Sequence, residues 1–327
     1  MKRILELSLK AMRKVISILR SQNVAPIKCI ADPDRASERI SELLSSPNPC
    51  MIARFGSTEM NTVLNYLSVK NGRDVIGYLS GATYQWWWNK KGISQMKTNS
   101  GFFPNTVEYL EKFCEQMMID AKDVDYLGSW LSGEEKVCPT LGPLDKTHLR
   151  FLEPFWSSSP WTKALEGHNV LVVHPFAELI ETQYKNNRNY IFRNQDILPE
   201  FNLIPFVAVQ SLGGESEVFE SWFEALEWME NEIDKIDYDI ALIGCGAYGF
   251  PLAAHIKRSG KKAVHLGGAL QLMFGIKGKR WEDPMYGVKE WGIPKGYYSS
   301  MMNEYWVRAG ENLRPKNANE VEGACYW

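Results

Sequence analysis

The chain has 327 residues, enough for one large domain or two ordinary ones with a sizeable buried core. Hydrophobic residues make up 45% and charged residues 23%, the balance of a soluble globular protein. The formal net charge of -2 lacks the basic excess of a general nucleic-acid binder, and no apolar run reaches the roughly 20 residues needed to span a bilayer.

Residues 1–20 carry apolar side chains at helical spacing (Leu5, Leu9, Met12, Ile16, Leu19), with Lys2, Arg3, Lys10, Arg13, Lys14 and Arg20 on the other side. Such a basic amphipathic helix either packs on its own domain or makes peripheral contact with an anionic membrane surface. There is no uninterrupted apolar core with a small-residue cleavage site, so a signal peptide is not expected. A second helix follows the Asp-Pro start of "ADPDRASERISELLSS". "PCMIARFG" reads as a buried strand ending at Gly56, and "STEMNTVLNYLSVKNG" as a helix capped at its start and stopped by Gly72. The aromatic stretch "YQWWWNKKGISQMKTNSGFFPN" has no clear period and reads as an ordered loop, a lid or a wall. Strands are then expected at "YLGSWL", "NVLVVHPF", "LIPFVAVQSL", "YDIALIGCG" and "KAVHLGG". Helices are expected at "TVEYLEKFCEQMMIDAKDVD", "AELIETQYKNN", "SEVFESWFEALEWMENEIDKI" and "YGFPLAAHIKRSG", with an irregular tail from "NLRPKNANEVEGACYW". Strands alternating with helices predict an α/β fold with a Rossmann-like, mostly parallel sheet flanked by helices.

The six cysteines (Cys29, Cys50, Cys114, Cys138, Cys245, Cys325) include no CxxC pair. They predict neither a zinc site nor a disulfide framework, and read as reduced thiols of a cytoplasmic protein.

"DIALIGCGAYGFPLAAHIKRSGKKAVHLGG" is strand, glycine-rich turn, helix, strand, with GxGxxG at Gly244, Gly246 and Gly249. The glycines permit a tight turn and close ligand approach, and the helix start offers the N–H groups of Gly246, Ala247 and Tyr248 to an anion. A dinucleotide site demands a carboxylate about 20 residues on, to hold ribose hydroxyls. Between Gly249 and Glu282 the chain has no Asp or Glu, so NAD is not expected, and S-adenosylmethionine meets the same obstacle. The segment beyond the second strand is basic instead, with Lys277, Lys279 and Arg280 in "FGIKGKRW", and it suits a diphosphate.

A second junction, "MIARFGSTEMN", sends Arg54 out of a strand into a turn at Gly56 and Ser57, with Glu59 in the first helical turn. Glu59 could complement the helix dipole, cap the helix, hold a divalent cation or act as a base. His174 closes "VLVVHPF", where α/β sheets present ligand groups, and is either a core histidine or a second base. Glu134 and Glu135 read as a solvated turn. Trp86, Trp87 and Trp88 read as a packed loop or a platform for a sugar.

Taken together, "RFGSTE", "NSGFFP", "VLVVHPF", "IGCGAYG", "GGALQLMFGIKGKRW" and the terminal "CYW" resemble the GT-D-fold glycosyltransferases, in a branch from bacterial surface-polysaccharide gene clusters. The likeness covers the chain past residue 48. It implies an N-terminal helical segment over residues 1–47 and a GT-D-like catalytic domain over 48–327, its Rossmann-like half at about 166–282. It further implies sugar transfer from a nucleotide-diphosphate donor to a glycan or lipid-linked acceptor, in the cytoplasm or at the inner face of the membrane. Family members carry Asp-x-Glu, linked to Mn²⁺ or Mg²⁺ and donor binding, where this chain has Ser57-Thr58-Glu59. That departure weakens the metal expectation at Glu59 and shifts the neutralisation of the leaving diphosphate towards Lys277, Lys279 and Arg280. Two other readings stay open: a Rossmann enzyme using S-adenosylmethionine or NAD, and a non-catalytic nucleotide-sugar-binding subunit.

Overall fold

The computed structural model describes residues 2–19, 28–211, 216, 218–310, 313 and 326. Among them, seven strands form one sheet: β1 (Cys50–Ala53), β2 (Tyr126–Ser129), β3 (Lys146–His148), β4 (Asn169–His174), β5 (Asn202–Val207), β6 (Ile240–Ile243) and β7 (Lys262–His265). They lie in the order β3-β2-β1-β7-β6-β4-β5, and every neighbouring pair is parallel. Side chains alternate between two cores. Met51, Ala53, Leu127 and Val173 enter one, while Cys50, Ile52, Tyr126 and Val172 enter the other. A parallel sheet covered on both faces needs apolar residues at nearly every position, which is why its central strands β1, β4 and β6 read as apolar runs.

The longer helices are α1 (Lys2–Leu19), α2 (Pro33–Ser45), α3 (Ser57–Asn71), α4 (Val75–Ser80), α5 (Lys90–Thr98), α6 (Val107–Asp120), α7 (Ala177–Ile191), α8 (Trp222–Ile233) and α9 (Gly249–Arg258). Helices α3, α6, α8 and α9 cover the first face, and α2 and α7 the second. The start of α2 follows from local chemistry. Asp32 accepts the Arg35 N–H at 2.9 Å, and Pro33 supplies a fixed φ at the first helical position. Ala36, Ile40 and Leu44 of α2 share a core with Ile52 and Trp161, so this part of the N-terminal segment belongs to the main body. A short pair, β8 (Ile276–Lys277) with β9 (Val307–Arg308), stands apart from the large sheet.

Three segments differ from expectation. The aromatic stretch contains α5, which Asn89 caps by accepting the Lys91 N–H at 3.2 Å. Its inward stripe, Ile93 and Met96, is too short to register as a period. The helix expected from Ser216 begins at Trp222, because the Ser221 hydroxyl accepts the Glu224 N–H at 3.2 Å and fixes the start there. Strand β3 is three residues of polar sequence, "KTH", given its conformation by pairing with β2. Of the tail expected to be irregular, only Leu313 and Tyr326 fall within the described residues. No helix among the described residues is long and apolar enough to cross a membrane.

The connections fix where a ligand can approach. From β1 the chain steps outward through β2 to β3. From β4 it steps the other way to β5, and from β6 it turns back to β7, beside β1. The connections of adjacent strands β4 and β6 therefore leave in opposite directions, and a crevice opens above their carboxyl ends.

Candidate functional site

That crevice is a cleft of about 200 Å³. Arg54, Gly56, Ser57 and Glu59 reach it from the end of β1 and the start of α3. Gly244, Gly246, Ala247 and Tyr248 reach it from the turn after β6, and His174 from the end of β4. Arg280 completes the wall. The two junctions singled out in the sequence thus face one another across a single space.

The glycines of the turn have different jobs. Gly246 has φ +60° and a Cβ placed on it would meet nothing within 4 Å, so it supplies the left-handed turn and leaves its outer side open. Gly244 is packed: a Cβ there would lie 2.7 Å from the Gly267 carbonyl and 2.8 Å from His174 Cδ2. Gly249 does not line the cleft. A Cβ there would lie 2.5 Å from His265 Nε2, so it lets α9 close onto β7. The turn runs through Gly246–Tyr248 into α9, and the first N–H groups of a helix lack intrahelical acceptors. The Tyr248 side chain is a structural pin. Its ring stacks on Trp222 at 4.9 Å and its hydroxyl bonds the Ser211 hydroxyl at 2.8 Å.

The electrostatics of the cleft are cationic. Burial holds the Arg54 guanidinium below its usual range, and neighbouring Arg280 pushes the same way, while Glu59 opposes both. Lys277 and Lys279 do not join them. Lys277 lies in β8 and Lys279 is exposed, so of that basic cluster only Arg280 faces the cleft. Glu59 is the only carboxylate lining the cleft among the described residues. Its carboxylate occupies the space where a Gly56 Cβ would stand, so it folds back over the bare glycine.

His174 is buried, and its Nδ1 accepts the Phe176 N–H at 2.9 Å. Burial pushes its pKa down to about 3, so the ring is neutral and carries its proton on Nε2. This geometry makes it a hydrogen-bond donor and gives it little basicity.

Several residues lining the cleft were given no role from sequence, among them Trp130, Ser211 and His265. His265 ends β7 as His174 ends β4, and is buried with both ring nitrogens unpartnered among the described residues. Burial first, and then Arg54, lower its pKa to about 3. The positional rule that marks His174, the last residue of a parallel strand, marks His265 equally well. Trp130, just past β2, follows the same rule. Ser211 carries no such signal, and Tyr326, also in the lining, is the tyrosine of the terminal "CYW".

Glu134 and Glu135 part company. Glu135 is exposed, whereas Glu134 is buried and accepts the Ser129 hydroxyl, the Trp130 N–H at 3.2 Å and the Leu131 N–H at 3.1 Å. The expectation of a solvated turn fails for Glu134, because its carboxylate replaces backbone partners for the loop after β2. Trp86 and Trp87 pack on each other and on Tyr78, with ring centres 5.0 to 5.9 Å apart. Trp88 lines a separate cavity.

The protein donors for Mn²⁺ or Mg²⁺ would be Glu59 and the Ser57 hydroxyl, and no group of three or more His, Cys, Asp or Glu able to hold a metal ion occurs among the described residues. The strand after the glycine turn ends in His265 where a dinucleotide site wants an acid. No family model matches the chain, and no curated protein or solved structure matches it significantly.

Proposed function

We propose that the chain is a glycosyltransferase of the GT-D kind, taking a sugar from a nucleoside-diphosphate donor to a hydroxyl of a growing surface glycan. One observation carries this reading: Arg54, Arg280 and the open N–H turn at Gly246–Tyr248 line the same cleft, with Glu59 as its one carboxylate among the described residues. A cationic cleft with a single acid calls for an anionic ligand. A diphosphate spanning the guanidinium groups and the helix start meets that demand.

The chemistry is set by the charges. The acceptor oxygen attacks the anomeric carbon as the bond from that carbon to the β-phosphate oxygen breaks. The electron pair leaves on the phosphate oxygen, and the acceptor proton passes to Glu59. Arg54, Arg280 and the turn amides stabilise the negative charge that grows on the leaving group. His174, neutral with its proton on Nε2, donates a hydrogen bond to a substrate oxygen. The base assignment therefore rests on Glu59. No step needs a metal, and the Ser57 departure from the family pattern is consistent with that.

The test is a thermal-shift panel of UDP, GDP, CMP, their sugars, NAD and S-adenosylmethionine, each with EDTA or Mn²⁺. At a hundred times its Kd, a ligand adds about 2.7 kcal/mol to the native state. The expected result is a rise with one nucleoside-diphosphate family, followed by donor turnover when an acceptor is supplied. A rise with NAD or S-adenosylmethionine alone overturns the reading. A rise with a nucleoside diphosphate and no turnover with any acceptor points to the binding subunit instead.

A further inference from the structure

A second cavity, of about 400 Å³, lies across the first turn of α3 from the cleft. The two meet at Ser57, Thr58 and Asn99, which line both. Glu59, one residue on, faces the cleft from the same ridge. The second cavity is walled by Asn61 and Asn65 of α3, Gln95 of α5, and Tyr84 and Trp88 from the segment between those helices. Carboxylates are absent from its described lining, and its one cation is Lys91. Amides and hydroxyls beside aromatic faces suit an uncharged polyol. Planar amides pair with vicinal hydroxyls, and a ring covers the apolar C–H face of a pyranose. A phosphate would find a single lysine, and an apolar group would strip water from the amides without replacing it.

The wall is built before any ligand arrives. Asn65 donates to the carbonyls of Gln85 at 2.9 Å and Trp87 at 3.1 Å, and accepts the Asn89 N–H at 2.9 Å. One buried amide thereby fixes the aromatic segment against α3. The Tyr84 hydroxyl donates to Asn61 Oδ1 at 2.5 Å, which holds that amide with its NH₂ group available. We infer that this cavity binds a neutral pyranose, the terminal sugar of the acceptor, and presents its hydroxyl across the Ser57–Thr58 ridge to Glu59. The inference rests on the transferase reading for the role of the sugar, and on the cavity alone for its binding.

The test is saturation-transfer NMR with methyl glucosides, galactosides and mannosides as probes, alone and with excess UDP or GDP. Transfer to at least one pyranoside is expected, undiminished by the nucleotide. Asn61→Ala and Gln95→Ala should each weaken it roughly 3- to 10-fold while leaving the nucleotide thermal shift unchanged. Trp88→Ala should abolish it, and the two amide variants guard against a folding defect in that one. No transfer to any pyranoside, transfer displaced by nucleotide, or transfer indifferent to Asn61 and Gln95 overturns the inference. If no nucleoside diphosphate shifts the melting temperature, the transferase reading falls, and the cavity still stands or falls by the pyranosides.

A different observation concerns α1. Ile4, Leu5, Met12, Val15, Ile18 and Leu19 are all exposed, Ile18 and Leu19 at 73% and 79%. At the helical repeat they fall within about half of its circumference. The opposite side holds the helix to the body. Leu9 is buried, and Arg13 lies 4.6 Å over the Tyr78 ring while donating to the Thr83 carbonyl at 3.4 Å. The helix docks by that line and leaves its main apolar face uncovered by the described residues. Exposed Lys10 and Lys14 stand outside this face, and the helix has five basic residues against one acidic, Glu6. The structure assigns this face to an anionic lipid surface, on which the helix lies with its apolar side down and its lysines at the headgroups. Arg13 ties the helix to the Thr83 carbonyl, one residue before Tyr84 of the second cavity's wall. Co-sedimentation of the full chain with phosphatidylcholine vesicles, with and without about 30% phosphatidylglycerol, tests this. Binding is expected only to the anionic vesicles, lowered at least tenfold by Val15→Glu and by Lys10→Glu with Lys14→Glu. Equal binding to both vesicles, no binding to either, or a dimer by light scattering that Val15→Glu dissolves overturns it.

Discussion

The guanidinium carbon of Arg54 lies 5.4 Å from the centre of the Trp130 ring. Trp130 is itself fixed twice. Its indole N–H donates to the Phe55 carbonyl at 3.0 Å, and its backbone N–H donates to Glu134. A buried carboxylate thus positions the ring beside a cation that has no salt bridge within 4 Å among the described residues. A ring face stabilises a desolvated cation by about 2 kcal/mol, less than the cost of burying it. The cleft holds a charge in readiness for an anion.

Arg54→Gln should therefore separate stability from binding. The melting temperature is expected to hold or rise, because an incompletely compensated ion has gone. Nucleoside-diphosphate affinity is expected to fall roughly 10- to 100-fold, the worth of hydrogen bonds to a charged group. Calorimetric titration and a melt on the same variant check both. A destabilised protein with unchanged affinity would make Arg54 structural.

Glu59 and Gly56 give a paired prediction. Glu59→Gln should reduce donor turnover roughly 100- to 10,000-fold, the usual worth of a general base, while donor Kd changes little. Gly56→Ala probes position instead of chemistry. Its φ of -73° suits alanine, but the new methyl would occupy the space where the Glu59 carboxylate now lies. That side chain can swing away, so stability should change by less than about 1 kcal/mol. Turnover should drop because the carboxylate has moved. Equal turnover in Gly56→Ala and the parent would show that the observed Glu59 position is not the working one.

The parts legible in the sequence were those fixed by local rules. The buried strands, the capped start of α2 and the glycine turn after β6 all arise from short-range sterics and burial, whereas the cap expected from the Ser/Thr pair of α3 is absent, because Gly56 stands at that position and Ser57 is already helical. Where those strands end also located Arg54, Gly246 and His174 at one rim. What escaped depends on neighbours distant in the chain. Strand β3 has no apolar pattern and exists by pairing with β2. Glu134 resembles any surface acid until Ser129 and two N–H groups converge on it. Lys277 and Arg280 look equivalent in "FGIKGKRW", yet β8 and the turn after it send only the arginine into the cleft.

The glycine turn predicts a contrast between neighbours. Gly249→Ala would set a methyl 2.5 Å from the buried His265 ring, and α9 would have to lift from β7. Overpacking of this kind costs about 1–3 kcal/mol. Gly246→Ala meets nothing, and its cost is the left-handed φ of +60°, about 1 kcal/mol. Denaturant titration should place Gly249→Ala below Gly246→Ala in stability. Nucleotide affinity should reverse the order, since only the methyl at Gly246 projects from the ligand side of the turn.

Stability should fall with acid, and the histidines say where. His174 and His265 are held down to about 3 and His148 to about 4, in each case chiefly by burial. An unfolded histidine titrates near 6.5, so below that pH the unfolded chain binds protons that the native chain refuses. Each such group subtracts about 1.4 kcal/mol per pH unit as the pH drops from 6.5 towards its folded value. Glu153 works the other way: burial raises it to about 7, so it keeps its proton when the unfolded chain has lost it, and its contribution fades as pH rises from 4.5 to 7. Burial also raises Asp120, Glu134 and Glu230, in the same sense as Glu153, so four carboxyls oppose the three imidazoles. Only Glu153 is carried as far as about 7, and the three imidazoles are expected to set the net slope towards instability in acid as pH drops below about 6.5. Urea midpoints at half-unit steps over that range check the sign. Glu153→Gln should steepen the fall, because it removes one of the opposing protons. A midpoint that still rises on acidification in Glu153→Gln would count against neutral cleft histidines, and so against the donor role assigned to His174.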